Sequence, residues 1–158
     1  MLAESLAALR DQEGFIPYVY DDANDNKVVP GYTLVGHPTV GIGRALDVDG
    51  LSMAEATYLF SNDIAATEAR LAVAAPWWND LTPLRRDVIT NMAFNIGIVG
   101  MLSFHGMISA LKNADYGNAA AEMNASKWAS EVPNRVKALR FAMINNRWGS
   151  VDDIASFA

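Results

Sequence analysis

Asp11-Gln12-Glu13-Gly14-Phe15-Ile16-Pro17-Tyr18-Val19-Tyr20-Asp21-Asp22 is the stretch whose reading decides the fold of this chain. Upstream of it, Met1 to Gln12 has the spacing of an amphipathic helix, with Leu2, Leu6 and Leu9 on one face. Gly14 is a left-handed helix stop. Glu13 is thereby expected in a last helical turn, facing the negative end of the helix dipole, where a carboxyl has reason to keep its proton. Nine residues on, Asp22 follows a short run of aromatic and β-branched residues and enters a polar turn, where a carboxylate stays ionised. Two carboxyl groups in unlike surroundings are what paired general-acid and general-base chemistry requires. The competing reading is that both are solvated surface acids, as most acidic residues at helix ends and turns are.

Composition bounds the alternatives. A chain of 158 residues with 51% hydrophobic residues makes one domain, or two small lobes sharing a core. It has no cysteine, so disulfide frameworks and thiolate metal sites are excluded. The net charge of −6 is uneven: residues 1–68 carry three basic and eleven acidic residues, a net −8, and residues 69–158 carry nine and seven, a net +2. The acidic half holds both candidate carboxylates, and no basic patch of the kind nucleic-acid binding needs is evident. The basic residues between Lys127 and Arg147 read as a solvated helix face.

Along the chain, residues 15–20 and 27–44 read as strands of a small antiparallel sheet, with Asp21 to Asn26 a turn rich in Asp and Asn. The Asp22-x-Asn24-x-Asn26 spacing invites a calcium-loop reading, but Lys27 stands where that loop needs Gly and Thr33 where it needs Glu. Asp47 to Gly50 is a second turn. Ser52 and Glu55 form a capping box opening a long helix over 52–74, with Met53, Ala56, Phe60, Ile64 and Leu71 at helical spacing. Trp77 and Trp78 read as packing residues, with a sugar-stacking platform as the alternative. Thr82-Pro83 opens a helix, apolar nearly all round from Val88 to Ile96, that Gly97 ends. Helices over about 103–112, 116–124 and 133–146 follow, behind Ser103, Asp115 and Pro133, and the tail from Gly149 is expected to be loosely held. The sequence has no Walker loop, nucleophile elbow or His-Glu-x-x-His, and it calls for no cofactor and no metal.

Glu13-Gly14, Asp22 and the later Thr39-Val40-Gly41-Ile42-Gly43-Arg44 together resemble the phage-type lysozymes of glycoside hydrolase family 24. Further matches extend over nearly the whole chain: Leu84-Arg85-Arg86, Asn91 to Gly97, Ser126-Lys127-Trp128 and Pro133-Asn134-Arg135. The resemblance implies an α+β, mostly helical, two-lobed fold: a small lobe over 1–51, a connecting helix over 52–75 and a helical lobe over 76–158. It implies an endolysin that hydrolyses the β-1,4 bond between N-acetylmuramic acid and N-acetylglucosamine in bacterial peptidoglycan. Glu13 would be the acid, Asp22 would orient or deprotonate a water, and the Thr39 hydroxyl would help hold that water, with inversion at the anomeric carbon. Phe94 corresponds to a residue of the family's substrate groove, though a core position is the competing reading. Arg135 resembles the arginine that pairs with the catalytic glutamate. A lytic transglycosylase and a wall-binding protein without activity are the alternatives on this scaffold.

Sixteen residues separate Asp22 from Thr39, far more than in the T-even phage enzyme of this family. That length leaves Asp21 and Asp25 as competitors for the role of Asp22, and Thr33 as a competitor for Thr39. Only Thr39 leads into Gly-x-Gly. Val132 replaces a Thr at the entry to the Pro133 helix, removing its usual cap. No basic segment followed by an apolar core opens the sequence, so no signal peptide is read there. The expectation is a monomer in the host cytoplasm, without stable membrane association, released to the wall by a separate holin.

Overall fold

The computed structural model describes residues 3–157. The chain separates into two compact units, Met1–Tyr58 and Leu59–Ala158. The class is α+β and mostly helical, with eight α-helices and one four-stranded antiparallel sheet among the described residues.

The first unit opens with α1, Ala3–Glu13, which Gly14 ends at a φ of 76°, its N–H donating to the Arg10 carbonyl. Met1 and Leu2 lie outside the described residues. None of α1 is buried: Leu6 and Leu9 stay exposed. Then come β1, Ile16–Asp21, β2, Asn26–Lys27, β3, Pro38–Gly41, and β4, Arg44–Ala45, in the spatial order β2-β1-β3-β4. Tyr20 faces Lys27 on one side and Thr39 on the other, and Ile16 faces Gly41. The stretch expected as strand over 27–44 is therefore broken into three short pieces, β2, β3 and β4, with an irregular loop over 28–37 between the first two. Arg44 closes this unit, donating to the Gly50 carbonyl at 2.7 Å and to Glu55 at 2.8 Å.

Helix α2, Met53–Ala74, crosses the division between the units. Its capping box forms as the sequence foretold: the Ser52 N–H donates to Glu55 and the Glu55 N–H to the Ser52 hydroxyl. Its apolar stripe is another matter. Leu71 alone among the described residues of α2 is buried, while Met53 and Phe60 are exposed. A 22-residue helix is about 33 Å long, and only its last turns run along a core.

That core belongs to the second unit. A 3₁₀ turn at Pro76–Asp80 places Trp78 inside and Trp77 against the core's edge, as packing residues. Helix α3, Pro83–Leu102, is broken at Gly97, whose φ of 78° interrupts the helix where the sequence placed the stop; a further turn beyond it carries the buried Met101. Then follow α4, His105–Lys112; α5, Tyr116–Asn124, capped by Asp115; α6, Lys127–Glu131; α7, Pro133–Asn145; and α8, Val151–Ser156. Helix α5 packs between α4 and α7, and α3 packs on α7. Leu71, Ile89, Met92, Met101, Met107, Met123, Leu139 and Met143 are fully buried. Arg85 threads this interior: its Nε donates to the Met143 carbonyl at 2.9 Å and its guanidinium stacks on Tyr116. A fixed cation thus meets the carbonyls of the last turn of α7, the favourable end of that helix's dipole.

Two expectations at helix ends need correcting. Ser103 does not cap α4; its hydroxyl donates back to the Gly100 carbonyl and Phe104 occupies the cap position. The tail after Gly149 is ordered as α8 by a capping box between Ser150 and Asp153 and by the Arg147–Asp153 ion pair at 2.8 Å. The Pro133 helix does lack a side-chain cap, since its N-cap is Val132.

Leu139→Ala removes a fully buried side chain from the α7 face and is expected to cost about 2–5 kcal/mol. Val99→Ala, at a position 82% exposed, is expected to change stability by less than about 0.5 kcal/mol. Urea titrations followed by tryptophan fluorescence measure both; equal midpoints for the two variants would contradict this packing.

Candidate active site

The interior of the first unit is polar. Among its described residues, those buried are Tyr20, Asp21 and Thr39. Asp21 ends β1 with its side chain wholly enclosed, and its carboxylate collects donors from three directions. Oδ1 accepts from the Ala23 N–H at 3.1 Å and the Gly36 N–H at 2.9 Å. Oδ2 accepts from the Val35 N–H at 2.7 Å, from the Tyr32 hydroxyl at 3.1 Å and from Asn24 Nδ2 at 3.4 Å. Tyr32 shares its single hydroxyl hydrogen with Asn24 Oδ1 at 3.0 Å. A carboxylate offers about four lone-pair sites, so this one has no capacity left. These bonds take the Val35 and Gly36 N–H groups, so neither is available for strand pairing.

Asp22 is the next residue, and it is exposed. It exchanges two hydrogen bonds with His37: the Asp22 N–H donates to the His37 carbonyl at 3.2 Å, and the His37 N–H donates to Asp22 Oδ1 at 2.7 Å. Asp22 Oδ2 has no partner among the described residues. Thr39 joins the same group, its hydroxyl donating to the His37 carbonyl at 3.3 Å. The structure therefore brings Asp22 and Thr39 together on one loop residue. Asp25 lies out in the turn at a φ of 59°, and Thr33 is exposed in the loop.

Glu13 sits at the other end of the β1–β3 ladder. It is exposed in the last turn of α1, and its Oε2 lies over Gly43, close to where a Cβ would stand. It lines a cleft of about 680 Å³ with Leu6, Leu9, Arg10, Ile42 and Gly43. Phe94 and Arg135 belong to the second unit. Phe94 is 44% exposed and meets Phe60 edge to face at 5.4 Å, which removes the core reading for it. Arg135 is exposed in the first turn of α7.

Two electrostatic shifts mark this site. The Val35 N–H above all, then those of Gly36 and Ala23 and the Tyr32 hydroxyl, lower the Asp21 pKa to about 2 against the opposing cost of burial. The hydrogen bond and charge of Asp47, 3.0 Å from its Nδ1, raise the His37 pKa, with the Asp22 charge adding to the effect.

A profile of the phage lysozyme family matches residues 10–142. The chain belongs to the phage lysozyme family. It is similar to the pre-baseplate central spike protein Gp5 of Enterobacteria phage T4, 26% identical over an alignment covering 86% of this chain and 26% of that protein. It is also similar to probable T4-type lysozyme 1 of Dictyostelium discoideum, 25% identical over 60% of each chain. The chain thus spans about a quarter of the length of one relative and 60% of the other.

The sequence points to Glu13, Asp22 and Thr39, offers Asp21 only as a competitor for the role of Asp22, and assigns nothing to Tyr32, Gly36 or His37. The signal available for the last three was Tyr32-Thr33-Leu34-Val35-Gly36-His37, which reads as a second, imperfect copy of the Thr-x-Gly-x-Gly entry and was set aside as such.

The folded Asp21 carboxyl binds its proton less tightly than the unfolded chain does, near 3.8. Its anion therefore supports the loop fully above about pH 4, and that support is lost as the pH falls through about 2. Followed by NMR, the Val35 and Gly36 amide protons are expected to titrate together with a midpoint near 2 and to stay flat above pH 4. A midpoint at or above 4 would contradict the enclosed hydrogen-bond set.

Proposed function

We propose that this chain is a muramidase that hydrolyses the β-1,4 bond between N-acetylmuramic acid and N-acetylglucosamine in bacterial peptidoglycan, in the service of host-cell lysis. The observation that carries the reading is the division of labour along β1: a cleft-lining glutamate before the strand and, after it, an aspartate held by a backbone N–H with one oxygen free.

In this mechanism Glu13 donates its proton to the glycosidic oxygen as the anomeric carbon–oxygen bond breaks. A water attacks the oxocarbenium-like carbon from the opposite face, and Asp22 Oδ2 takes the proton that the water releases. The Thr39 hydroxyl has committed its hydrogen to His37, so its remaining lone pairs are what it offers that water. Glu13 and Asp22 flank the six-residue strand β1 rather than adjoining each other. The resemblance to the family, rather than this placement, is why inversion with a water between the carboxyl groups is preferred here to a covalent glycosyl-enzyme. Phe94 presents an exposed ring on which a sugar face can stack, the use we propose for it in substrate binding.

Glu13→Gln is expected to abolish lysis of permeabilised Gram-negative cells with the fold intact, because the amide has no proton to give. The loss of a general acid is on the order of 10²–10⁴-fold or more. Asp22→Asn is expected to be similarly damaging, and Asp25→Asn to stay within about threefold of the parent, since its side chain lies outside the Asp22–His37–Thr39 group. Mass spectrometry of the digest reads the chemistry. Reducing muramic ends are expected; anhydromuramic ends would make the protein a transglycosylase, and no cleavage would leave it a wall-binding protein.

A further inference from the structure

The buried Asp21 carboxylate has no part in that mechanism. In a unit where Tyr20 and Thr39 are the other buried residues among those described, a fully enclosed charge with five donors needs a reason. Its donors supply one. The Val35 and Gly36 N–H groups come from 14 and 15 residues downstream, so the carboxylate draws the far end of the long loop back onto the end of β1. The next N–H after Gly36 is that of His37, which binds Asp22 at 2.7 Å. The three consecutive N–H groups of residues 35–37 are thus divided between two consecutive aspartates, two to Asp21 and one to Asp22.

Gly36 makes the packing at this point strict. A Cβ built there would overlap Asp22 Oδ1 and stand 2.9 Å from both the Ala23 nitrogen and its Cβ. The Asp22 carboxylate lies directly on the Gly36 backbone, at a distance only a residue without a side chain allows. Gly36 is not at positive φ, so its need here is steric rather than conformational.

We propose that Asp21 is a positioning residue for the hydrolysis. Its enclosed carboxylate and the bare Gly36 backbone together hold the 28–37 loop in the one arrangement that fixes Asp22 Oδ1 on the His37 N–H and aims Oδ2 outward. This rests on Asp22 serving as the water-activating group. Asp21 touches neither water nor glycan; it acts through Asp22. The long loop that separates Asp22 from Thr39 in sequence is then the device that joins them in space. The same logic gives Tyr32 a minor share, as the donor that closes Oδ2 of Asp21.

The test compares Asp21→Asn, Gly36→Ala and Asp22→Asn in the full chain. Each is assayed for kcat and KM on soluble uncrosslinked peptidoglycan strands, and the His37 amide is followed by NMR shift and hydrogen exchange. Asn at position 21 presents an NH₂ to N–H donors and so breaks the set without changing size. Displacement of a catalytic group by about 1 Å costs on the order of 10²-fold. Asp21→Asn and Gly36→Ala are therefore each expected to lower kcat by about 10–100-fold with KM within twofold. The His37 amide is expected to shift and lose protection, and the urea midpoint of the tryptophan-bearing second unit to stay unchanged. Should Asp21→Asn fail to fold, Gly36→Ala decides, since it leaves the Asp21 carboxylate in place and disturbs the seat of Asp22. Folded variants with kcat within twofold of the parent would overturn the proposal, as would a loss of kcat with the His37 amide unmoved. If the parent itself does not cleave the strands, the muramidase reading fails, and the amide measurements still report whether Asp21 holds the loop.

Discussion

A single enclosed carboxylate organises the sheet-bearing unit. Small β-sheets of this size bury too little apolar surface to fix a sixteen-residue excursion by packing. The interior of this unit holds Tyr20, Thr39 and the Asp21 side chain, whose oxygens gather backbone groups from Ala23 and from Val35 and Gly36. An ionised acceptor inside a protein makes stronger hydrogen bonds than a neutral one, and each such bond here also closes a loop. The cost of burying the charge is offset only because every lone pair is used. Removing a donor leaves an unpaired charge, so the set holds or fails as a whole.

The helical unit is built on the opposite principle. Its interior is a continuous apolar cluster rich in methionine, drawn from α3, α4, α5 and α7 and from the end of α2. Thioether side chains, unbranched and flexible, fill irregular gaps between packed helices. The charged group in that core, Arg85, is satisfied at the carbonyl end of α7 and covered by the Tyr116 ring. Trp128 makes a comparable tie, its indole N–H donating to Asn95 Oδ1 at 2.7 Å. Polar side chains here pin helix ends to one another, whereas in the first unit a polar side chain replaces the core.

The two units also explain where a sequence pattern succeeds as a guide. Glycine stops and capping boxes are local: Gly14, Gly97 and the Ser52–Glu55 pair act over three or four residues, and all three behave as read. Apolar periodicity is less secure. It marks apolar faces on α1 and α2, yet Leu6, Leu9, Met53 and Phe60 are exposed, because a stripe states which side is apolar and not what covers it. Helix α8 was missed because its order comes from an ion pair and a capping box within a polar tail, where no hydrophobic signal stands out.

The sequence by itself determined the family, the helical punctuation and the positions of Glu13, Asp22 and Thr39 as candidates, since each sits inside a short motif whose spacing survives along the chain. Tertiary structure alone decided how neighbouring aspartates differ. Asp21, Asp22 and Asp25 are equivalent as letters within one acidic turn, but Asp21 is sealed among donors, Asp22 is exposed with one oxygen on His37, and Asp25 is exposed in the turn at positive φ. The physical reason is that the donors that separate them arrive from up to fifteen residues away. Which N–H groups reach which carboxylate depends on the path of the loop, and that path is itself set by the bonds it makes.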